Sequence, residues 1–187
     1  MSVEGNIRNA NRMYIPAEDS YLLGETVKRY SGKKVLEVGV GSGIITKELS
    51  KNFEVVIGTD SNLDSVIFAK GSLSRKTQLI CCNMCDTIRS KFDLIVSNPP
   101  YLRDLRIAHE KDTTIDGGSS GIEWSTRFLK VAAPMLKRSG KILILASSMS
   151  DLQKLHYFLS ISGLKFKQVN KKKLFFEVLL ILEITKS

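Results

Sequence analysis

Asn98-Pro99-Pro100-Tyr101 is the segment with the most specific chemistry in this chain. Its consecutive prolines remove backbone donors and stiffen the turn, so their carbonyl groups can face a ligand. The Asn98 side-chain oxygen and a proline carbonyl are two acceptors, which suits a planar NH2 group whose lone pair must meet an electrophile. Tyr101 offers an aromatic face to the substrate and to a nearby positive charge. The segment predicts methyl transfer to nitrogen, with Asn98, Pro99 and Tyr101 as catalytic residues; the alternative is an ordinary tight turn.

A glycine-rich loop, Glu37–Gly43, has the pattern E-x-G-x-G-x-G between a predicted strand and a predicted helix. Its glycines permit a tight turn and let a ligand approach the backbone closely. The spacing differs from the dinucleotide pattern G-x-G-x-x-G. The Glu37 carboxylate would repel a pyrophosphate but attract an ammonium group, which S-adenosylmethionine carries. We therefore expect this cofactor to bind at Glu37, Gly39 and Gly41.

Two further polar residues follow predicted strands. Asp60 ends the strand after the glycine loop, where a carboxylate can accept hydrogen bonds from both ribose hydroxyls. Nicotinamide enzymes use the same arrangement, so Asp60 alone indicates a nucleoside rather than a particular cofactor. Asn83, after the next strand, is placed to bond adenine.

The elements that must position these residues alternate between strand and helix. This rhythm predicts a parallel sheet with helices on both faces. The short connection Asn170–Lys173 predicts that the last two strands form an antiparallel hairpin. We therefore expect an α/β fold, a doubly wound Rossmann-like sheet of seven mostly parallel strands with an antiparallel C-terminal hairpin. The predicted strands are Lys34–Val38, Val55–Asp60, Thr77–Cys82, Phe92–Ser97, Lys141–Ala146, Phe166–Val169 and Phe175–Ile184. The predicted helices are Pro16–Tyr30, Ile44–Leu49, Leu63–Leu73, Glu123–Leu136 and Asp151–Leu159.

The 187 residues suit one domain, which we expect over 14–187 after a flexible segment 1–13. The longest apolar run has five residues, far short of the roughly 20 that span a bilayer. The N-terminus lacks the apolar region of a signal peptide, so we expect a cytoplasmic protein without a membrane partner. Cys81, Cys82 and Cys85 are too few and too clustered for a disulfide framework or a complete zinc site, and we expect no metal.

Together these motifs resemble the HemK-like release-factor glutamine N5-methyltransferases, a family of class I S-adenosylmethionine-dependent enzymes. Tyr14–Leu23 is similar to the family segment Y-x-P-x-E-D-[ST]-x-L-L, and Asp116–Gly121 is similar to D-G-G-x-x-G. The short chain resembles the archaeal and eukaryotic branch. That branch methylates the glutamine of the Gly-Gly-Gln motif in the class I translation termination factor.

The resemblance implies a role for each matching residue and one departure. The family usually has Asp where this chain has Asn83, which predicts a changed cofactor affinity. The implied contacts are Ser20, Glu37, Gly39, Asp60, Asn83 and Met84 with the cofactor, and Asn98, Pro99 and Tyr101 with the acceptor amide. We also count Asn98 among the cofactor-binding residues.

The same resemblance implies a partner, a small zinc-ribbon activator subunit that covers an apolar edge near the third strand. Gln78–Cys82 is unusually apolar for an edge strand, and exposed edges invite pairing. An ordinary buried strand is the alternative interpretation.

Charge is unevenly distributed along the chain. Its net charge is +9, and residues 130–187 carry 11 basic but only three acidic side chains. Contact with RNA or the ribosome would explain this surplus, as would a solubilising surface.

Three functional hypotheses follow. The first is N5-methylation of a termination-factor glutamine. The second is methylation of an exocyclic amino group of adenine or guanine in RNA or DNA, since such enzymes share the N-P-P-Y motif. The third, a cofactor-binding protein without turnover, is disfavoured because the whole motif is intact.

Overall fold

The computed structural model describes residues 15–74, 76–101 and 120–187, so the predicted flexible segment 1–13 lies outside it. Strands and helices alternate through most of the described residues, as the sequence predicts. No helix in these ranges is long and apolar enough to cross a membrane. In chain order the elements are α1 (Glu18–Val27), β1 (Gly32–Val38), α2 (Ile44–Asn52), β2 (Phe53–Asp60), α3 (Leu63–Ser72), β3 (Thr77–Cys81), β4 (Phe92–Ser97), α4 (Glu123–Ala132), a 3-10 turn (Ala133–Met135), β5 (Leu136–Ser147), α5 (Leu152–Ile161), β6 (Leu164–Lys173) and β7 (Val178–Lys186).

The strands form one sheet in the order β3-β2-β1-β4-β5-β7-β6. The first five strands pair in parallel, whereas β7 runs antiparallel to both β5 and β6. The predicted seven-stranded α/β fold with an antiparallel C-terminal hairpin is therefore confirmed. The order reverses at β1, and ligands of such sheets bind beyond the carboxyl ends of the strands at this point.

Alternating side chains on the central strands fill a separate core on each face of the sheet. On β5, Ile142 and Ile144 belong to one core, whereas Leu143 and Leu145 belong to the other. Helices α1 and α2 cover the second core, and α4 and α5 cover the first. Burial on both faces explains why these strands read as continuous apolar runs.

The C-terminal hairpin turns later than its sequence predicts. Lys171, Lys172 and Lys173 do not form the connection but complete β6, and the turn occupies residues 174–177. A lysine run resembles a loop, yet β6 is an edge strand, where lysines discourage pairing with other chains. The lysines of this edge strand therefore explain part of the excess of basic over acidic residues. Contact with RNA stays a prediction.

The boundary between α4 and β5 also differs from the predicted one. The helix ends at Ala132, not Leu136, because Pro134 lacks a backbone donor and sits in the 3-10 turn that follows. Strand β5 then begins at Leu136, five residues earlier than predicted. Trp124 packs on Phe128, with ring centroids 5.4 Å apart.

We expect Gly58→Ala to lower the free energy of unfolding. An added Cβ would lie 2.5 Å from Val40 Cγ2 and 2.8 Å from Leu79 Cδ2. Overpacking of this kind costs about 1–3 kcal/mol. Urea denaturation measures the loss, and Gly24→Ala is the control. Gly24 lies inside α1, and an added Cβ there meets no atom within 4 Å. Alanine in a helix gains about 0.5–1 kcal/mol over glycine, so the two changes should have opposite signs.

Candidate active site

The strand register brings the predicted site residues together at the carboxyl edge of the sheet. Val38 of β1 pairs with Thr59 of β2 and with Ser97 of β4. The residues that follow these three, Gly39, Asp60 and Asn98, therefore leave the sheet side by side. Neighbouring strands lie about 4.8 Å apart, so the site spans about 10 Å from β2 to β4.

Thr59 holds the loops after β1 and β3 in place. Its backbone carbonyl accepts hydrogen bonds from Gly39 N at 2.8 Å and from Val40 N at 3.1 Å. Its hydroxyl donates to the carbonyl of Met84 at 2.5 Å. One buried residue thus fixes the start of the glycine loop relative to the segment that contains Asn83.

The glycine loop has a backbone conformation that favours glycine. Gly39, Gly41 and Gly43 have φ angles of 85°, 51° and 80°, in the left-handed region. An added Cβ at Gly39 or Gly41 would meet no atom within 4 Å. Gly43 is close-packed, because its added Cβ would lie 3.2 Å from Ala69 Cβ. The first two glycines therefore border open space, and the third packs α2 against α3.

Glu37 is a buried carboxyl group with one oxygen bonded and one free. The Thr46 hydroxyl on α2 donates to Oε2. Oε1 is buried and has no hydrogen-bond partner. The pKa of Glu37 is raised to about 8, mainly by burial and less by the nearby Asp60 carboxyl, while the hydrogen bond from Thr46 acts in the opposite direction. A cationic donor at Oε1 would satisfy this oxygen and favour the charged form.

Asp60 shapes the glycine loop with both carboxylate oxygens. Oδ2 accepts a hydrogen bond from Gly41 N, and Oδ1 accepts one from Asn62 N, each at 2.9 Å. Each carboxylate oxygen has a second lone pair, so both can still accept a ligand hydroxyl.

Asn83 and Met84 follow β3 in contrasting environments. The exposed Asn83 donates from Nδ2 to Asp86 Oδ2 at 3.2 Å, which leaves its side-chain oxygen as the acceptor. Met84 is buried and has a φ of 49°. Asn83 can therefore present an acceptor, as the Asp usual at this position would.

Asn98 leaves the end of β4 with its side-chain oxygen, Oδ1, buried and without a hydrogen-bond partner. Pro99 is buried, and Pro100 and Tyr101 are half-buried. A buried acceptor without a donor is costly in a folded protein, so this oxygen suits a ligand N–H group.

Tyr101 is held from both of its ends. Its hydroxyl donates to Asp19 Oδ2 at 3.3 Å, and its backbone carbonyl accepts from Ser150 Oγ at 2.7 Å. Burial raises the pKa of Tyr101, and the nearby Asp19 and Glu177 carboxyls raise it further. The phenol is therefore neutral at physiological pH.

Ser20 lies in the first turn of α1, next to Asp19, and is buried. Its backbone N–H donates to Asp19 Oδ1 at 2.5 Å. Because Asp19 also accepts from Tyr101, the start of α1 is fixed beside the N-P-P-Y segment. Most of the predicted segment Asp116–Gly121 lies in 102–119, outside the described residues.

The free oxygens provide a test of whether the predicted ligands fit. In the described ranges, three buried side-chain oxygens lack partners: Glu37 Oε1, Asn98 Oδ1 and Thr77 Oγ1. Thr77 is the first residue of β3, at the amino-terminal ends of the parallel strands and away from the site. The other two belong to the carboxyl ends of β1 and β4, near the open space over the glycines. They fit one ligand with an ammonium group and another with an NH2 group.

Several residues that hold the site are absent from the sequence-based prediction. They are Asp19 beneath Tyr101, Thr46 on Glu37, Thr59 on the two loops, and Ser97, whose hydroxyl donates to the Val38 carbonyl at 2.8 Å. A hydroxyl residue at or next to the carboxyl end of β2, β4 and β5 was a readable signal. Thr46 carries no such local signal, because only the folded chain brings it beside Glu37.

Residues 17–179 match the family model of the methyltransferase small domain. Over 177 residues, the chain is 32% identical to a Methanocaldococcus jannaschii protein named as a candidate protein N5-glutamine methyltransferase; the match covers 91% of this chain and 90% of that protein. The release factor glutamine methyltransferase of Bradyrhizobium diazoefficiens is 28% identical over 126 residues, which are 59% of this chain and 42% of its own length.

A solved structure is similar over nearly the whole fold. It is a chain of the E. cuniculi Mtq2-Trm112 complex, which is responsible for methylation of the eRF1 translation termination factor. The TM-score is 0.76 at 26% identity, and the match covers 94% of this chain and 99% of that chain.

We expect Glu37→Gln to flatten the pH dependence of stability. The ordinary pKa of 4.5 applies to the unfolded chain and about 8 to the folded one. Between these values the folded state binds more protons, so wild-type stability falls as pH rises, by up to about 1.4 kcal/mol per unit. Urea denaturation of the ligand-free protein from pH 5 to 9 measures this slope. The exposed Glu54→Gln is the control and should keep the wild-type slope, whereas an equal slope in Glu37→Gln would contradict the expectation.

Proposed function

Since the chain belongs to the methyltransferase small domain family, we propose that it transfers a methyl group from S-adenosylmethionine to the side-chain nitrogen of a protein glutamine. The substrate we propose is the glutamine of the Gly-Gly-Gln motif in a class I translation termination factor. The observation that carries the proposal is the buried, unpartnered Oδ1 of Asn98, the first residue of the N-P-P-Y segment. The names of the archaeal and bacterial relatives support a glutamine acceptor.

The cofactor site uses the free groups around the glycine loop. When bound, S-adenosylmethionine supplies a methyl group already activated on a sulfonium sulfur. Glu37 Oε1 would accept from its ammonium group, Gly39 and Gly41 would admit it close to the backbone, and Asp60 would accept from the ribose hydroxyls. Further contacts in this proposal come from Ser20, Asn83, Met84 and Asn98.

The acceptor site is built to orient a nitrogen. Asn98 Oδ1 and the carbonyl of Pro99 accept hydrogen bonds from the two N–H groups of the glutamine amide. Their partial negative charges also stabilise the positive charge that develops on nitrogen. Tyr101, fixed by Asp19 and Ser150, packs over the amide. The chemistry is mainly alignment, which fixed groups deliver at no further entropic cost.

We also propose that a small zinc-ribbon activator subunit covers the outer side of α3 and β3. Strand β3 is an edge strand of the sheet, so its outer side has no neighbouring strand in the order β3-β2-β1-β4-β5-β7-β6. Beside it, α3 exposes Leu63, Ile67 and Phe68 to solvent. Exposed apolar patches of this kind mark interaction sites. The Mtq2 complex, which contains Trm112, supports the proposal.

We expect Asn98→Ala to separate catalysis from binding. The cofactor groups other than Asn98 remain, so the dissociation constant for S-adenosylmethionine should change little, as measured by calorimetry. Methyl transfer to the termination factor should fall about 100-fold or more, as when one preorganised polar group is removed from a reaction centre. Asn98→Asp keeps the acceptor oxygen and should retain more activity than Asn98→Ala.

The matched control is Thr77→Val. It removes the third buried oxygen without a partner, which lies at the amino-terminal end of β3. It should leave methyl transfer at the wild-type rate. A termination factor with Glu in place of the Gly-Gly-Gln glutamine should not be labelled, because no amide nitrogen remains. Labelling that survives this change, or that occurs only with RNA or DNA, would favour nucleic-acid amino-group methylation instead.

We expect Ile67→Asp to prevent association with the activator subunit without unfolding the protein. Ile67 is 61% exposed, so a charge there is solvated in the free protein but would be buried without a partner in the complex. Co-purification of the tagged activator measures the effect. Ile161→Asp on α5 is the matched control at 65% exposure and should co-purify normally. Equal recovery with both variants would move the activator surface elsewhere.

A further inference from the structure

The turn between β6 and β7 exposes two adjacent phenylalanine side chains. Phe175 is 92% exposed and Phe176 is 85% exposed. Their rings meet edge to face, with centroids 4.6 Å apart. We call this pair the aromatic tip. Side chains of this size normally stabilise a fold by leaving water, so their full exposure indicates a surface that contacts another molecule.

The aromatic tip lies at the same edge of the sheet as the candidate active site. Strand β7 is antiparallel to β5, and Leu179 pairs with Ser147 at the carboxyl end of β5. Ser97, which precedes Asn98, pairs with Ile144 on the same strand. Leu179 therefore lies about three residues, or roughly 10 Å, beyond the level of Ser97, and the turn that carries the tip lies further along the same direction.

The turn that carries the tip is firmly anchored. Leu174 N donates to the Glu177 carbonyl at 2.8 Å, and the buried Ser147 hydroxyl donates to Glu177 Oε2 at 2.5 Å. Val178 N donates to Ser148 Oγ at 2.8 Å. The segment after β5 that includes Ser148 also bonds the carbonyl of Tyr101 through Ser150. The tip is thus held in a fixed relation to the N-P-P-Y segment.

Basic side chains border the tip. Lys172 forms an ion pair with Glu18 on α1. Lys171 and Lys173 alternate with it along β6, so they face the other side of the sheet, and both are exposed. Two exposed aromatic rings and two exposed cations thus lie within six residues of the chain, a combination that complements an apolar patch with acidic neighbours.

We propose that the aromatic tip, with Lys171 and Lys173, is the docking surface for the protein that carries the acceptor glutamine. It binds an apolar patch bordered by acidic side chains, outside the glutamine-containing segment itself. This inference rests on the proposed function. The names of the relatives, a protein N5-glutamine methyltransferase and a release factor glutamine methyltransferase, favour a protein over a single-stranded nucleic acid at this surface.

The experiment compares intact termination factor with a short peptide containing its Gly-Gly-Gln motif. For Phe175→Ser/Phe176→Ser, we expect KM for the intact factor to rise about tenfold with kcat unchanged, the effect of losing a binding anchor that does not touch the reacting atoms. The peptide should be methylated as by the wild type. Lys171→Glu/Lys173→Glu should raise KM in the same selective way. The control is Tyr157→Ser/Ile161→Ser, a pair of exposed apolar residues on α5.

The outcomes are distinguishable. If the wild type methylates neither the factor nor the peptide, the proposed function fails, and the docking proposal fails with it. If the wild type is active but the Phe variant has an unchanged KM for the intact factor, only the docking proposal is overturned. An equal loss with the peptide would place the rings inside the acceptor site. Loss of oligonucleotide binding with normal KM would assign the surface to nucleic acid, and a changed oligomeric state would assign it to a second copy.

Discussion

The burial of Glu37 is the constraint on which the site depends. A carboxyl group at the end of a central strand loses its hydration, and only one of its oxygens regains a hydrogen bond inside the protein, from Thr46. The two apolar cores on either side of the sheet offset this cost. The stable sheet therefore carries a small polar region in which one carboxyl oxygen lacks a hydrogen bond. A ligand with a positively charged donor can supply this hydrogen bond.

The carboxyl ends of the strands show how a parallel sheet positions the residues that follow it. Register alone sets Gly39, Asp60 and Asn98 side by side, but it does not fix the loops that follow them. Thr59 fixes two of them, because its carbonyl bonds the glycine loop and its hydroxyl bonds the loop after β3, while the Ser97 hydroxyl bonds the end of β1. A reaction that needs alignment more than acid–base chemistry is well served by loops that are tied to a neighbouring strand in this way.

Local patterns predicted the fold and most of the proposed site, because both follow from short-range rules. Continuous apolar strands, the glycine spacing and the Asn98–Tyr101 segment each keep their signal within a few residues. The bond between Asp19 and Tyr101 could not be predicted in this way, since 82 residues separate the two partners. The predicted position of the hairpin turn was wrong for another reason. Three lysines resemble a loop in any local window, and only the strand order shows that they lie on an edge.

The two edge strands of the sheet differ, and this difference limits how many neighbours can pair with the sheet. One edge, β6, is long and carries lysines along its length, so the approach of another strand is opposed by charge. The other, β3, is five residues long and lies beside the apolar surface of α3. A chain with two open edges can extend end to end into a fibre, whereas a chain with one can only be capped. Association through this sheet therefore involves the β3 edge and stops at a single neighbour, so it does not propagate.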